Sequence, residues 1–327
     1  MTDEVVTLTA NPSVDRTIVL LDTLARGQVQ RTPYVTEQAG GKGLNVARVL
    51  ASAGRSVVAV APAVDAVYRA LAAEPPSGNL VAAVLPEGRR VRINTAITEP
   101  DGTTTKINEA GNELGAVDRE ATAELLAERA AGASWVVLSG SLPPGAPVDW
   151  YPQLAKGIDC KVAVDTSGPY LQAVVDALPQ VKIDLLKPNS DELAELTSGD
   201  AAAFEEAAAQ GDVGDIATAA RRLVEAGVAN VMVTLGGSGA VLVNADGAWF
   251  AHAPEIAVRS TVGAGDSSVA GFILADLRGE GPEGCLATAV AYGSAAAALP
   301  STTLPTGADA QPLLPKVVAV GRTTVKQ

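Results

Sequence analysis

The sequence predicts an α/β fold in which a mostly parallel sheet is sandwiched by helices and carries a small β lid. Three observations predict it: short apolar runs bounded by turn residues recur along the chain, segments of helical periodicity fall between many of them, and two stretches rich in Thr, Val, Arg and charged residues break the alternation. The 327 residues are 47% hydrophobic, enough for a sizeable core. No internal repeat or long linker divides them, so one domain over 1–327 is expected.

Val5–Leu8 reads as the first buried strand, and Asp15–Glu37 as a twisted hairpin. With a second hairpin at Arg89–Gly111 it is expected to form the lid, about residues 12–37 and 89–111, inserted in the main domain. Leu44–Ala53 and Asp118–Ala131 have helical periodicity, with the strand Val57–Val60 between them. Val136–Leu138, Val162–Val164 and Leu185–Leu186 continue the sheet. The Ala/Glu-rich segment Ala201–Asp215 reads as a surface insertion with its own short helix, followed by the helix Ile216–Ala226 and the strand Val231–Leu235. Ala264–Leu277 is a further helix, and the Ala-rich Cys285–Leu299, interrupted by Thr288, Gly293 and Ser294, is too short to span a bilayer and reads as a buried one. The Thr- and Pro-rich tail after Pro300 is expected to wrap the surface. In such a fold ligands gather at the carboxyl ends of the strands.

Composition narrows the function. Against 37 Asp and Glu stand 24 Lys and Arg, a net charge of −13, so nonspecific nucleic-acid binding has no electrostatic support and any anionic ligand needs locally placed cations. The acidic start Met1–Glu4 has no signal-peptide character, and a cytoplasmic protein with no membrane partner is expected. Cys160 and Cys285 offer neither a disulfide framework nor a metal spacing, and His252, the single histidine, reads as a packing residue.

The most informative stretch is Ser260-Thr261-Val262-Gly263-Ala264-Gly265-Asp266-Ser267, which opens the helix Ala264–Leu277. Glycines uncover backbone N–H groups at a helix start, a ready-made anion site, and Asp266 in the first turn either complements the helix dipole or faces the group that attacks a bound phosphate. Gly40-Gly41-Lys42-Gly43 suggests a P-loop, yet no Ser or Thr follows Lys42. It opens the helix that carries Asn45, either as a close backbone approach to a polar ligand or as a hinge below the lid. Thr234-Leu235-Gly236-Gly237-Ser238-Gly239 lacks the last glycine of a dinucleotide fingerprint, and either cradles nucleotide phosphates or forms a hairpin turn. In Lys187-Pro188-Asn189-Ser190-Asp191-Glu192, Asn189 with Glu192 three residues on has the spacing of a capping box, which is compatible with organising waters around Mg²⁺. A serine triad would have to use His252 and lacks its nucleophile elbow.

In this order and at these separations, the four motifs resemble the carbohydrate kinases of the ribokinase (PfkB) family over essentially the whole chain. Thr7–Asp15, Val91–Asn94, Glu99–Thr103, Ile107–Glu109 and Ser139–Gly145 resemble its phosphosugar branch, which contains 1-phosphofructokinases, tagatose-6-phosphate kinases and a minor 6-phosphofructokinase, the bacterial 1-phosphofructokinases being the nearest match. The resemblance implies a ribokinase-like fold and transfer of the ATP γ-phosphoryl to a sugar phosphate. Fructose 1-phosphate going to fructose 1,6-bisphosphate is the expected reaction, and tagatose 6-phosphate and fructose 6-phosphate are the alternatives. A non-catalytic nucleotide or sugar-phosphate sensor is the alternative of another class, against which the intact Asp266 argues.

The resemblance also implies roles. Asp266 would be the base and the N–H groups of Gly263, Ala264, Gly265 and Asp266 the anion hole. Asp15, Gly40, Gly41 and Asn45 would meet sugar hydroxyls, while Arg92, helped by Lys42 or Ser139, would hold the phosphate already on the sugar. Lys187, Asn189 and Glu192 would serve the ATP phosphates and, through water, Mg²⁺. Thr234, Leu235, Gly236, Gly237, Ser238 and Gly239, with Gly265, Gly293 and Ser294, would line the nucleotide site. Asp266 is expected to work as an ordinary carboxylate without an elevated pKa. Ser268, where Met is common, and the long Ala201–Asp215 depart from the family pattern, both away from the expected chemistry. Lid hairpins with exposed edges suggest a homodimer.

Overall fold

The computed structural model describes residues 4–62, 64–74, 78–86, 88–300 and 302–321. In chain order the strands are β1 (Val5–Thr9), β2 (Ser13–Val19), β3 (Tyr34–Gly40), β4 (Val57–Ala61), β5 (Leu80–Val84), β6 (Arg92–Thr98), β7 (Thr104–Asn108), β8 (Trp135–Ser139), β9 (Lys161–Asp165), β10 (Leu185–Leu186), β11 (Asn230–Thr234), β12 (Ala240–Asn244), β13 (Ala248–Ala251) and β14 (Val317–Ala319). The α-helices are α1 (Lys42–Ser52), α2 (Ala66–Ala72), α3 (Ala116–Ala130), α4 (Trp150–Ala155), α5 (Gly168–Asp176), α6 (Ser190–Thr197), α7 (Ala201–Ala209), α8 (Gly214–Ala226), α9 (Ala264–Leu277), α10 (Pro282–Ala298) and α11 (Gly307–Ala310).

Ten strands form one sheet in the order β14-β13-β12-β11-β10-β9-β8-β1-β4-β5. From β5 to β11 every junction is parallel, and β12 to β14 add an antiparallel edge. The alternation of side chains along each strand explains the layers. In β1 and β8, Val6, Leu8, Val136 and Leu138 pack into the core under α3 to α8, whereas Val5, Trp135 and Val137 pack against α1, α2, α9 and α10. Strands buried on both faces read as continuous apolar runs, which is why they were legible in the sequence.

The second sheet forms over the two predicted hairpins, and its strands are called the lid below. Its strand order is β3-β2-β6-β7, with antiparallel β2–β3 and β6–β7 hairpins joined by parallel β2–β6 pairing. Ser13 pairs with Gly40 and with Arg92 at its base, so both hairpins enter the main body side by side. The chain then runs from β3 directly into α1, which begins at Lys42, two residues before the predicted start.

Helices α9 and α10 make the closest helix packing. At Gly271 a side-chain carbon would stand 2.6 Å from the Thr288 carbonyl oxygen, so only glycine allows this approach. Both helices are buried nearly all round, as their uniform hydrophobicity requires. The segment 201–215 forms α7 and the entry to α8, but it is more than a surface insertion: Phe204 and Ala208 are buried in the core, and Ser190 Oγ donates to Glu205 across 3.2 Å. Beyond Pro300 the tail crosses the surface as predicted, with Thr302 Oγ1 donating to lid residue Gln38 and β14 closing the sheet edge. The short strands β5, β13 and β14 and the small helices α2, α4 and α5 carry too little periodicity to be read from the sequence.

Candidate active site

Five neighbouring strands, β1, β8, β9, β10 and β11, deliver polar residues to one edge of the sheet. Register pairs Thr9 with Ser139 and Ser139 with Asp165, while Lys187 follows β10 and a bridge joins Asn189 to Thr234. The carboxyl edge thus presents a row running from the lid side to the β11 turn, where a parallel sheet leaves loops free to bind ligand. α9 starts above this row.

Gly263 caps α9 in the left-handed conformation (φ 78°), which suits glycine and lets the chain turn sharply into the helix. Ser267 N donates to the Gly263 carbonyl at 2.8 Å and Ala264 N to Thr261 O at 3.4 Å. Ala264 is therefore partly engaged. Among the described residues no acceptor is paired with the N–H groups of Gly265 or Asp266, and these two remain available to an anion. Asp266 is 5% exposed, and its Oδ2 accepts a 2.8 Å hydrogen bond from Asn45 Nδ2. Burial first, and the nearby Asp165 charge second, push its carboxyl up from the ordinary 3.8 to about 6, against the opposing pull of Lys42, the Asn45 hydrogen bond and Lys187. The expectation of an unperturbed carboxylate is corrected here: the helix start buries Asp266 too deeply for it.

The Asp165 charge belongs to an ion-pair cluster. Its Oδ1 lies 3.1 Å from Lys42 Nζ and 3.3 Å from Lys187 Nζ, and Asp165 and Lys187 are 2% and 5% exposed. Burial alone would raise the Asp165 pKa, but Lys187 and Lys42 more than offset it and hold the carboxyl below its usual range. Burial likewise disfavours the Lys42 ammonium, and Asp165 and Asp266 overcome that, so its pKa is raised. Gly265 is the contact point between this cluster and α9, because a side-chain carbon there would stand 3.4 Å from Lys187 Nζ.

Two cavities flank the cluster. The lid-side one, about 200 Å³, is lined by Gly41, Lys42, Arg92 and Ser139 together with Thr9, Asn11, Gly140, Ser141 and Ser167. Arg92 Nε donates to Asn11 O at 3.2 Å, and Ser139 Oγ is buried with no hydrogen-bond partner among the described residues. Asp15 stands just outside that lining. Its Oδ1 accepts from Ser13 Oγ at 2.8 Å and Asn94 Nδ2 at 2.9 Å, and its carboxylate occupies the space a side chain on Gly40 would need. Gly40 is thus the floor beneath Asp15 rather than a wall of the cavity.

The second cavity, about 410 Å³, is lined by Thr234, Gly236, Gly237, Gly239, Ala264, Gly265, Gly293 and Ser294, with Glu255, Ile256 and Val258 on its far side. The structure therefore brings together most of the predicted nucleotide residues. Leu235 is an exception: it is buried in the core because the tight turn after β11 points it inward. Ser238 sits behind the cavity, its carbonyl accepting from Ala253 N at 3.4 Å. The 3₁₀ turn Gly236–Ser238 is a hairpin turn into β12, and its two glycines also line the cavity. Ser268 also lines this cavity and donates to Ala264 O at 2.9 Å, a correction to its expected remoteness. Lys187 joins the buried cluster, while Asn189 and Glu192 form a complete capping box at α6, Asn189 Oδ1 accepting from Glu192 N at 2.8 Å and Glu192 Oε2 from Asn189 N at 2.9 Å. Burial pushes the Glu192 carboxyl up. His252 packs its ring edge-on to Phe250 at 4.3 Å, as predicted.

Sequence reasoning missed Asp165, Asn11, Asn94 and the segment 255–258. A carboxylate ending the apolar run Lys161–Asp165 was the available signal, since strand carboxyl ends are where ligands gather.

With this geometry in hand, comparison with known proteins gives a consistent result. Residues 8–308 match the family described as pfkB family carbohydrate kinase. The chain is 35% identical over 286 residues to the 1-phosphofructokinase of Xanthomonas campestris pv. campestris, covering 84% of this chain and 85% of that one. The crystal structure of phosphofructokinase-2 from Escherichia coli in complex with fructose-6-phosphate superposes with TM-score 0.81 at 27% identity, covering 96% of this chain and 98% of that one. Arabidopsis thaliana ribokinase superposes with TM-score 0.71 at 23% identity over 96% and 99% of the two chains, which identifies the fold as ribokinase-like.

The raised Asp266 pKa has a consequence for stability. Between about 3.8 and 6 the folded protein binds a proton at Asp266 that the unfolded chain releases, so this group stabilises the fold increasingly as pH falls through 6 and destabilises it above. Asp266→Asn removes the buried charge. Its melting temperature is expected to exceed that of wild type at pH 8, with the difference shrinking toward pH 5; a constant difference across that range, read by calorimetry, would show that Asp266 does not titrate there.

Proposed function

The chain belongs to the pfkB family of carbohydrate kinases, and from that premise we propose that it transfers the γ-phosphoryl group of ATP to a hydroxyl of a sugar phosphate, with fructose 1-phosphate the preferred acceptor. The observation that carries this reading is the position of Asp266. It is buried at the start of α9, bonded to Asn45 of the helix that follows the lid, with Gly265 beside it in the wall of the larger cavity. ATP occupies the larger cavity over the glycine turn after β11, and the sugar phosphate lies under the lid, its phosphate against Arg92 and its hydroxyls against Asp15 and Asn45. Similarity to curated 1-phosphofructokinases supports the choice of acceptor. Tagatose 6-phosphate and fructose 6-phosphate are the competing acceptors.

In the reaction the acceptor hydroxyl faces Asp266. As its oxygen bonds to the γ-phosphorus and the bond from phosphorus to the β-bridging oxygen breaks, the hydroxyl proton passes to the Asp266 carboxylate and ADP departs. The free N–H groups of Gly265 and Asp266 face the charge on the moving phosphoryl group, aided by the α9 dipole. Lys187, held against Asp165, lies beside the same helix start.

Mg²⁺ fits the donors on the nucleotide side. Among the described residues no group of three or more His, Cys, Asp or Glu side chains is placed to hold a metal ion alone. Mg²⁺ asks for little more than one or two carboxylates, waters and substrate phosphates. The Asp165 Oδ2 atom is buried without a hydrogen-bond partner among the described residues, and the capping box leaves Glu192 Oε1 outside its pair of bonds. Asn189 and Glu192 would hold the ion through water, and the ion would neutralise phosphate charge.

We place the protein in the cytoplasm, where ATP is at hand; no described helix is long and apolar enough to cross a membrane. The four-stranded sheet is the lid of a single domain. The row Val35–Ile18–Ile97, paired across three strands, and Ile107 share the lid face opposite Asp15, with Val35 and Ile107 45% and 59% exposed. That apolar stripe supports a homodimer formed through the lids. Light scattering is expected to find a dimer in wild type and a monomer in Val35→Glu, and a monomeric wild type would refute the pairing.

Three kinetic measurements test the activity. A coupled ADP-release assay should give the highest kcat/KM with fructose 1-phosphate and little turnover of free fructose; equal use of free and phosphorylated sugars would overturn the acceptor assignment. A charged hydrogen bond to phosphate is worth roughly 1.5–3 kcal/mol, so Arg92→Ala should lower sugar-phosphate kcat/KM by about one to two orders of magnitude with the ATP KM unmoved. In the same assay Asp266→Asn should lower kcat by roughly 10²–10⁴-fold, and near-normal kcat would exclude Asp266 as the base.

A further inference from the structure

Two lid strands, β3, whose Gly40 backs Asp15, and β6, which carries Arg92, are fastened to the short helix α2, which touches neither cavity at the cluster. At the end of β3, Tyr68 Oη donates to Gly40 O at 3.3 Å. At the start of β6, Val91 N donates to Asp65 Oδ2 at 3.0 Å, while Asp65 Oδ1 caps α2 by accepting from Tyr68 N at 2.8 Å. Arg48 of α1 closes the arrangement: Nη1 donates to Ala39 O at 2.7 Å, and Nη2 to Leu71 O and Glu74 O at the other end of α2, each at 2.9 Å. Arg48 lies one helical turn after Asn45, so the helix that positions the Asp266 partner also grips the lid root.

We infer that Arg48 and Tyr68 are positioning residues for the sugar phosphate, setting the distance between the lid groups Asp15 and Arg92 and the helix groups Lys42 and Asn45; the inference rests on the sugar-kinase reading above. The physical reason is the composition of the hinge. Ala39–Gly40–Gly41 joins lid to α1, and Gly40 bears the Asp15 carboxylate directly on its backbone, so a small rotation there moves Asp15 against Asn45. A glycine pair by itself resists such rotation weakly. The carbonyls on its lid side are the ones that Arg48 and Tyr68 hold. Arg is suited to the task because one planar guanidinium reaches three carbonyls on two elements, which an ammonium cannot.

A merely structural staple between α1 and α2 would lower stability and leave the two substrates equally served. A hinge anchor predicts a split. In steady-state assays with wild type measured alongside, Arg48→Met should raise the sugar-phosphate KM by about tenfold, the value of one charge-assisted hydrogen bond, with the ATP KM within about twofold. Arg48→Lys should recover part of the loss. Tyr68→Phe, which keeps the buried ring and removes only the hydroxyl, should shift the sugar-phosphate KM in the same direction by a few-fold and decides the matter if Arg48→Met does not fold. Unchanged sugar-phosphate KM in the folded variants, or parallel rises in both KM values, would overturn the inference. A wild type that phosphorylates no sugar phosphate would instead refute the activity itself, and the anchor with it.

Discussion

Asp165 sits at the end of a central strand with two lysine ammoniums on the same carboxylate oxygen, and the geometry of the site follows from that contact. An unpaired carboxylate at this depth would be strongly disfavoured; two cations make it tenable and are themselves fixed by it. Lys42 comes from the first turn of α1, immediately after the lid, and Lys187 from the end of β10, immediately before the α6 cap. One buried charge therefore ties the lid side, the central sheet and the α6 side together. It also reaches Asp266, whose proton affinity rises partly because Asp165 is near. Removing the Asp165 charge would release both lysines and change the proton affinity of Asp266 at once.

The row of strand ends explains why the two cavities lie where they do. After β1 the chain is drawn up into the lid, and the surface over β1 and its neighbour β8 carries Thr9, Ser139 and Arg92, polar groups suited to hydroxyls and phosphate. Over β11 the sheet turns antiparallel, and the glycine turn into β12 leaves bare backbone facing the α9 start. Between the two lies the helix terminus with its free N–H groups. α9 holds its position because α10 packs against it at glycine distance, so the site depends on the Gly271 and Gly293 contacts as much as on its charged residues.

Much of this was legible in the sequence, and the exceptions have physical reasons. The parallel core strands announce themselves as apolar runs because both faces are buried, and the lid hairpins by their mixed composition. Glycine motifs mark backbone that must come close to something, which located Gly263–Asp266, Gly41 and Gly236–Gly239. A motif does not say which of its residues turns inward, and Leu235 goes to the core while its neighbours line the cavity. Asp165 is a single acidic residue after an apolar run; its meaning comes from Lys42 and Lys187, distant in sequence and joined to it only by the fold. The rise in the Asp266 pKa is likewise a property of depth and neighbours, which no local pattern encodes. Ser268 was expected to lie away from the chemistry, whereas the packing of α9 opens its hydroxyl side on the larger cavity, which no local pattern encodes.

The charge balance of the site bears on how a polyanion is accommodated. Lys42 and Lys187 are matched by Asp165 and Asp266, so the cluster has no surplus positive charge to meet a triphosphate. Bringing further negative charge next to Asp266 would raise its pKa again and leave the base protonated at neutral pH, unless that charge is neutralised where it binds. The protein's own means are the dipole and unpaired N–H groups of the α9 start, which act on the phosphoryl group without adding a titratable charge. They amount to about half an elementary charge, well short of what the nucleotide carries. On the proposed reading, a divalent cation arriving with the phosphates and held through water at Glu192 would supply the remainder on the nucleotide side, leaving Asp266 able to accept a proton on the sugar side. In a strongly acidic protein the cations at this site are few and closely placed because Lys42 and Lys187 are both committed to Asp165, and on the proposed reading Asp266 can serve as base because neither is left over.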